Sequence, residues 1–322
     1  MKPRIVYVTC AENGLIGLKY LLSQAADIVA VVTIAQDVAT RAAVSGYVDI
    51  KSAALELGVS CIELSSYNLG PGDLRGLAFD VLVINGWNRL ISPDVIEIAR
   101  IGAVGLHAGH PPIGLGRAPL VWNILLGYPD IEVYAFRLTA NADDGDILAK
   151  KVVEITSYDN VRLLYEKVAF WGARLLETAI RLLSESIAGE TQEVRSIIHY
   201  PKRGPGDGLI DFSWDDAKIR DFVRAQSDPY PGAFSFLEGE KWLFDEVVPF
   251  DRFAFREVKR EPGRIIAALP AGIVILTGGA PLWLLKARLA DGSPAFGNYD
   301  AMARLVGARF SKEPDQSPRR DI

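Results

Sequence analysis

Only three histidines occur in the 322-residue chain. Two of them, His107 and His110, stand three residues apart among glycines and prolines, in Gly105-Leu106-His107-Ala108-Gly109-His110-Pro111-Pro112. Downstream come Gly116-Arg117-Ala118-Pro119 and the acidic run Asn141-Ala142-Asp143-Asp144-Gly145-Asp146. An imidazole titrates near neutral pH, so it can take up and return a proton within one reaction. A carboxylate beside it can orient it and balance its charge, which suits general acid–base chemistry. Metal chemistry is disfavoured, because no cysteine or third histidine stands near His107 and His110 and a zinc site wants three or four ligands. The acidic run does not fit a calcium loop. Counting from Asn141, Asp146 falls where such a loop needs glycine and Val152 where it needs glutamate.

Rigid elements must hold these groups. Residues 103–107 read as a strand that ends at the histidine, and open α/β sheets hold their ligands just past such strand ends. Residues 5–8, 28–34, 60–64 and 79–84 are apolar and mostly β-branched, and are expected to be buried strands. Helical spacing marks 15–22, 50–57 and 93–100, whereas 36–49 is polar and is expected to be a surface loop. This alternation predicts an α/β fold with a Rossmann-like, doubly wound, mostly parallel sheet. Val161, Leu164, Val168, Trp171, Leu175, Leu176, Ala179, Leu182 and Leu183 outline a long helix over 158–187, closed by Gly189. The polar stretch 190–208, with Pro201, Gly204, Pro205 and Gly206, has linker composition. After it, a helix at 214–226 and short strands at 233–237, 241–247, 264–268, 273–277 and 283–289 predict a smaller C-terminal β-barrel, OB-like in kind. The expected organisation is a catalytic domain over 1–190, a linker over 191–208, a β-barrel domain over 209–310 and a frayed tail over 311–322.

The net charge of −5 gives no global attraction to nucleic acid or to an anionic membrane. Cys10 and Cys61 make neither a disulfide framework nor a metal cluster, which suits a reducing compartment. The chain passes from Met1-Lys2-Pro3-Arg4 straight into its first strand without a signal peptide. No apolar run reaches the roughly 18 residues of a membrane span. A cytoplasmic protein without membrane contact is expected. The first turn, residues 9–17, lacks Gly-x-Gly-x-x-Gly, which disfavours a nicotinamide oxidoreductase. Gly14 and Gly17 leave two readings open there: a ligand close to a helix N-terminus, or a plain tight turn.

Four segments in fixed order carry a resemblance. Asn85-Gly86-Trp87-Asn88-Arg89-Leu90-Ile91-Ser92-Pro93, then Leu106-His107, then Gly116-Arg117-Ala118-Pro119, then Asp143-Asp144-Gly145-Asp146-Ile147 resemble the 10-formyltetrahydrofolate-dependent formyltransferases. Pro205-Gly206-Asp207-Gly208-Leu209-Ile210-Asp211-Phe212 and Pro229-Tyr230-Pro231-Gly232-Ala233-Phe234 are similar to the C-terminal domain of methionyl-tRNA formyltransferases and amino-sugar N-formyltransferases. The resemblance covers about residues 5–289. It implies attack of a substrate amine on the formyl group of 10-formyltetrahydrofolate. His107 would carry the proton and the developing charge, and Asp143 would set the charge state of that histidine. The resemblance further implies a folate pocket between a loop with Trp87, Arg89, Leu90 and Ile91 and a loop with Thr139, Ala142 and Asp143. No metal is implied. One departure stands out. The family usually has an asparagine two residues before the histidine, donating to the formyl oxygen, and this chain has Gly105. Losing one such donor costs about 10²–10³ in turnover. Asn88 on the adjacent loop and His110 are the candidates to replace it. Gly109-His110-Pro111-Pro112 also stands where many members have Ser-Leu-Leu-Pro, which points His110 toward the substrate.

Charge bears on the acceptor. A tRNA partner needs a basic footprint for phosphates. From residue 205 onward the chain has 16 Lys+Arg against 18 Asp+Glu, and residues 35–49 carry Arg41 as their one positive charge. The expectation is a small-molecule amine, first a nucleotide-linked amino sugar and then an amine-bearing siderophore precursor. Methionyl-tRNA is the alternative. A non-catalytic binding module of the same fold is a third reading, and the presence of both His107 and Asp143 speaks against it. The second domain has three uses open to it: formation of a homodimer, acceptor binding, or neither.

Overall fold

Alternating apolar runs and helical stretches pack into two compact units in the computed structural model, which describes residues 2–109, 113–116, 118–139, 145–192, 198–201 and 203–314. The first unit comprises Met1–Leu120, Pro129–Thr156 and Leu163–Pro201, and the second Val121–Tyr128, Ser157–Arg162 and Lys202–Ile322. Along the chain come β1 (Arg4–Val8), α1 (Glu12–Ser23), β2 (Asp27–Ile34), α2 (Gln36–Arg41), α3 (Ile50–Glu56), β3 (Cys61–Leu64), β4 (Val81–Ile84) and α4 (Pro93–Ile96). They are followed by β5 (Gly102–Gly109), β6 (Ile113–Gly116), α5 (Pro119–Leu125), β7 (Asp130–Arg137), β8 (Ile147–Glu154), α6 (Val161–Ser184) and β9 (Ile198–Tyr200).

The first unit is built on a seven-stranded sheet of order β3-β2-β1-β4-β5-β7-β8. From β3 to β5 every neighbour is parallel, and β7 and β8 add two antiparallel strands at one edge. β1 and β4 are buried along almost their whole length, as continuous apolar runs in a parallel sheet require. The strand order reverses between β1 and β4, so the crevice beyond their C-terminal ends is the topological switch point.

Several elements depart from their expected extent. The loop expected over 36–49 begins with α2, whose Val38 and Ala39 are buried and whose Arg41 pairs with Asp37 one turn back at 2.6 Å. The helix expected over 93–100 stops after one turn at Ile96. Arg100 is drawn away by the Asp80 carboxylate, which its side chain grips at 2.6 Å, and its backbone N–H donates to Phe79. β5 continues two residues past His107, so the histidine lies within the strand and not at its end. The strand pair β6–β9 and the edge strand β8 carry no sequence expectation.

The second unit contains α7 (Asp216–Arg224), β10 (Ala233–Leu237), β11 (Glu240–Pro249), β12 (Ile265–Leu269), β13 (Gly272–Ile275), β14 (Leu282–Leu289) and a short α8 (Tyr299–Arg304) that the sequence reading did not anticipate. Its five strands form one antiparallel sheet of order β10-β11-β14-β13-β12. The two edges are joined by residues 307–311. Gly307 and Ile265 exchange backbone bonds with their neighbours at 2.9 Å, Arg309 bridges Arg264, and Ser311 bridges Phe236. The expected small barrel is therefore ringed by its C-terminal segment. The stretch expected as a frayed tail starts at Ser311, which is paired, and 315–322 lie outside the described residues. Leu209 bridges Phe234, so the two segments quoted above for the C-terminal resemblance meet at the start of the sheet. No helix among the described residues is long and apolar enough to cross a membrane.

Phe310 is the keystone of this closure. It is 4% exposed, stacks on Phe212 at 5.5 Å and meets the rings of Phe244 and Trp242. Replacing Phe310 by alanine is expected to destabilise the second unit by about 3–5 kcal/mol, the usual cost of emptying a buried aromatic site. Chemical denaturation followed by tryptophan fluorescence checks this.

Candidate active site

β4 ends at Ile84, opposite Gly105, whereas β5 runs on to Gly109. Beyond Gly105 the sheet therefore holds β5 from one side only, through β7, with His107 opposite Tyr134. His107 is half-buried, its Nε2 atom is shielded from solvent, and its ring lies 5.6 Å from that of Tyr134.

Side chains alternate along a strand, so position 105 faces the same side of the sheet as His107. Gly105 sits opposite Phe136, and a Cβ there would come within 2.8 Å of Phe136 Cζ and 3.1 Å of Leu138 Cδ2. The space that an asparagine side chain would need is filled by the Phe136 ring, which is 2% exposed. Tyr134, Phe136, Ile147 and Leu138 form one apolar cluster. An aromatic laid across a glycine on the facing strand is a recognised way to pin a sheet at a residue with no side chain.

The loop after β4 is held tightly at its base. Asn85 is buried and its amide donates to the Tyr7 hydroxyl at 2.9 Å, which donates in turn to Gly14 O at 2.8 Å. The Gly86 carbonyl accepts from Cys10 N at 3.3 Å and from Cys10 Sγ at 3.4 Å. Burial pushes the Cys10 thiol up to about 11, so it stays a protonated donor. The Asn88 backbone N–H donates to the Tyr67 hydroxyl at 3.0 Å. Trp87 and Ile91 are buried, Asn88 and Arg89 are exposed, and Leu90 is 75% exposed. The indole Nε1 of Trp87 is buried and finds no acceptor among the described residues.

The first turn excludes the ligand reading left open above. Glu12 N donates to Gly46 O, Asn13 N to the Tyr165 hydroxyl and Gly14 N to the Asn13 side chain, so the N-terminus of α1 is satisfied by the chain itself. Side chains at Gly14 and Gly17 would run into Thr9, Tyr7 and Asn85, so these glycines serve close packing of α1 on the sheet.

Of the remaining expected residues, Thr139 is half-buried at the root of the loop between β7 and β8. That root is closed by Arg137 N donating to Asp146 O at 2.9 Å and by the Gln192 amide donating to Gly145 O at 2.6 Å. Ala142 and Asp143, which fall in that loop, lie outside the described residues, as does His110. Among the described residues, no group of three or more His, Cys, Asp or Glu is arranged to hold a metal. Sequence reading missed Tyr67, Cys10, Tyr134 and Phe136. The last two could have been found from the alternation of 130–137, but their relation to Gly105 and His107 depends on strand register.

Strand order and switch point define an open α/β domain of the kind that binds its ligand beyond the C-terminal ends of its strands. Residues 19–180 match the family described as formyl transferase, and residues 203–298 match its C-terminal domain. The chain belongs to the formyl transferase family. It is 27% identical over 314 residues to the methionyl-tRNA formyltransferase of Desulfotalea psychrophila, covering 96% of this chain and 94% of that one. In fold it is similar to the N-formyltransferase of Helicobacter canadensis in complex with folinic acid and dTDP-3-aminofucose, with a TM-score of 0.64, 14% identity and coverage of 88% of this chain and 99% of that one. It is also similar to HypX of Aquifex aeolicus in complex with tetrahydrofolic acid, with a TM-score of 0.61 and 17% identity. That match covers 90% of this chain but 45% of HypX, so the chain spans less than half the length of that protein.

Gly105→Ala is expected to cost about 1–3 kcal/mol through overpacking against Phe136. Pairing it with Phe136→Leu should recover part of the loss, because the ring is what the added methyl meets. Thermal unfolding of the two variants checks this, and equal melting temperatures would argue against the ring as the obstacle.

Proposed function

We propose that this chain transfers the formyl group of 10-formyltetrahydrofolate to the primary amine of a small molecule, a nucleotide-linked amino sugar. The observation that carries the reading is His107 on the strand edge left open by β4, in a sheet whose β4 leads into a loop with a buried Trp87 indole that finds no acceptor among the described residues and an exposed Asn88. A loop that combines an exposed Leu90 with polar groups at Asn88 and Arg89 suits a flat heterocycle with polar edges. Trp87, Arg89, Leu90, Ile91, Thr139, Ala142 and Asp143 are assigned to hold the folate. When bound, that folate supplies a formyl carbon activated by its ring-linked nitrogen. His107 takes the proton released by the attacking amine, and Asp143 sets the charge of that imidazole. Asn88 and His110 are assigned as donors to the formyl oxygen in place of a side chain at 105.

The amino-sugar acceptor rests on charge. Arg41, the only cation of residues 35–49, is engaged by Asp37, and the chain from residue 205 has no excess of Lys+Arg. Methionyl-tRNA is the second reading, favoured by the near full-length similarity to a methionyl-tRNA formyltransferase. The domain limits of 1–190, 191–208 and 209–310 and a cytoplasmic location are part of the same proposal.

Release of tetrahydrofolate is to be measured with a panel of nucleotide-linked amino sugars and with methionyl-tRNA. His107→Ala is expected to lower turnover on the true acceptor by about 10²–10⁴, the usual worth of general acid–base help. Wild type no faster than His107→Ala on every acceptor would leave the non-catalytic reading. Activity on methionyl-tRNA alone would replace the sugar reading by the second. Asn88→Ala is expected to lower turnover by about 10²–10³ while folate affinity changes only a few-fold. Unchanged turnover would remove Asn88 from the donor role.

A further inference from the structure

Tyr67 follows β3, the outermost parallel strand, yet its side chain reaches the loop beyond β4 across the ends of β2 and β1. Four contacts converge on it. Its hydroxyl accepts the Asn88 backbone N–H at 3.0 Å and lies 3.6 Å from Cys10 Sγ. Its ring meets the Trp87 indole edge-on at 4.8 Å, and the Arg89 guanidinium lies 5.4 Å from the ring centre. Cys10 gives its thiol proton to Gly86 O, so the Tyr67 hydroxyl is left to donate to the sulfur. Hydrogen bonds then run in one direction, from Asn88 N–H to the Tyr67 hydroxyl, to the Cys10 thiol and to the Gly86 carbonyl. The two ends of this chain are two residues apart in the loop. Burial raises both Tyr67 and Cys10 above their ordinary ranges, so both protons stay in place at physiological pH.

We propose that Tyr67 is a positioning residue for the formyl donor: with Cys10 it fixes the backbone of residues 86–89 in the shape that receives the folate. This rests on the assignment of that loop to the folate. Trp87, Asn88 and Arg89 would touch the ligand, and Tyr67 acts through them.

Tyr67→Phe keeps the ring against Trp87 and removes the hydroxyl. It is expected to weaken tetrahydrofolate binding, measured by calorimetry, about three- to tenfold, the effect of one lost neutral hydrogen bond. The KM of the acceptor should stay within twofold of wild type, while turnover at saturating 10-formyltetrahydrofolate should fall by less than the Asn88→Ala loss, because the Asn88 backbone is what the hydroxyl holds. In the ligand-free protein, amide exchange in a peptide covering 85–91 should quicken. Cys10→Ala should give the same pattern, and Cys10→Ser, which restores a donor, should return most of the affinity. Unchanged amide exchange together with folate affinity within twofold of wild type would overturn the proposal. So would a fall in turnover with tetrahydrofolate affinity within twofold of wild type, the mark of a smaller folded fraction. Quickened exchange in a chain whose wild type binds no tetrahydrofolate would uphold the clamp on the loop but overturn both its folate role and the proposed function.

Discussion

Pairing on one side only is the condition on which the site depends. A strand inside a parallel sheet gives its backbone groups to neighbours on both edges, and its side chains are walled in. β5 meets that condition as far as Gly105 and then outlasts β4. From Leu106 to Gly109 its backbone groups on that edge are not claimed by β4, while β7 keeps the segment rigid. A side chain there is held as firmly as a core residue yet borders a crevice. Catalysis by positioned groups needs that combination, because misplacement by a fraction of an ångström is costly. The strand reversal between β1 and β4 puts the same crevice at the switch point of the sheet.

Much of this frame was legible beforehand. The strands at 28–34 and 233–237 were read within one residue of their bounds, because unbroken β-branched and aromatic runs between turn residues admit few alternatives. The long helix was legible from its apolar stripe, trimmed by a few residues at each end. His107 stood out because histidine is scarce in the chain. α2 was not legible, since six residues carry little periodicity and their helix depends on burial of Val38 and Ala39. Tyr67 and Phe136 were illegible for a different reason. Tyr67 touches Cys10 across 57 positions of sequence, and Phe136 matters only because register sets it against Gly105. Neither relation has a local signature.

Gly105 and Phe136 change the chemical character of the cleft. An amide side chain next to His107 would offer a donor and hold water. A phenyl ring offers neither, and it packs with Tyr134, Leu138 and Ile147 in one apolar cluster. Charges and dipoles act more strongly where water is excluded, so each remaining donor counts for more. The glycine at position 105 and the ring that fills its place are one packing unit on two facing strands. Its effect spreads over a volume larger than one hydrogen bond.

The ring of the second unit has a temporal side. β10 and β12 are sheet edges until residues 307–311 arrive, and Ser311 lies 75 positions beyond its partner Phe236. During synthesis most of that sheet emerges before the segment that seals it. Contacts of such long separation form late, and open edges meanwhile invite pairing with other chains. The ribosome and its attendant chaperones would therefore meet this half of the protein as an unsealed sheet, whose solubility turns on a handful of residues translated after it.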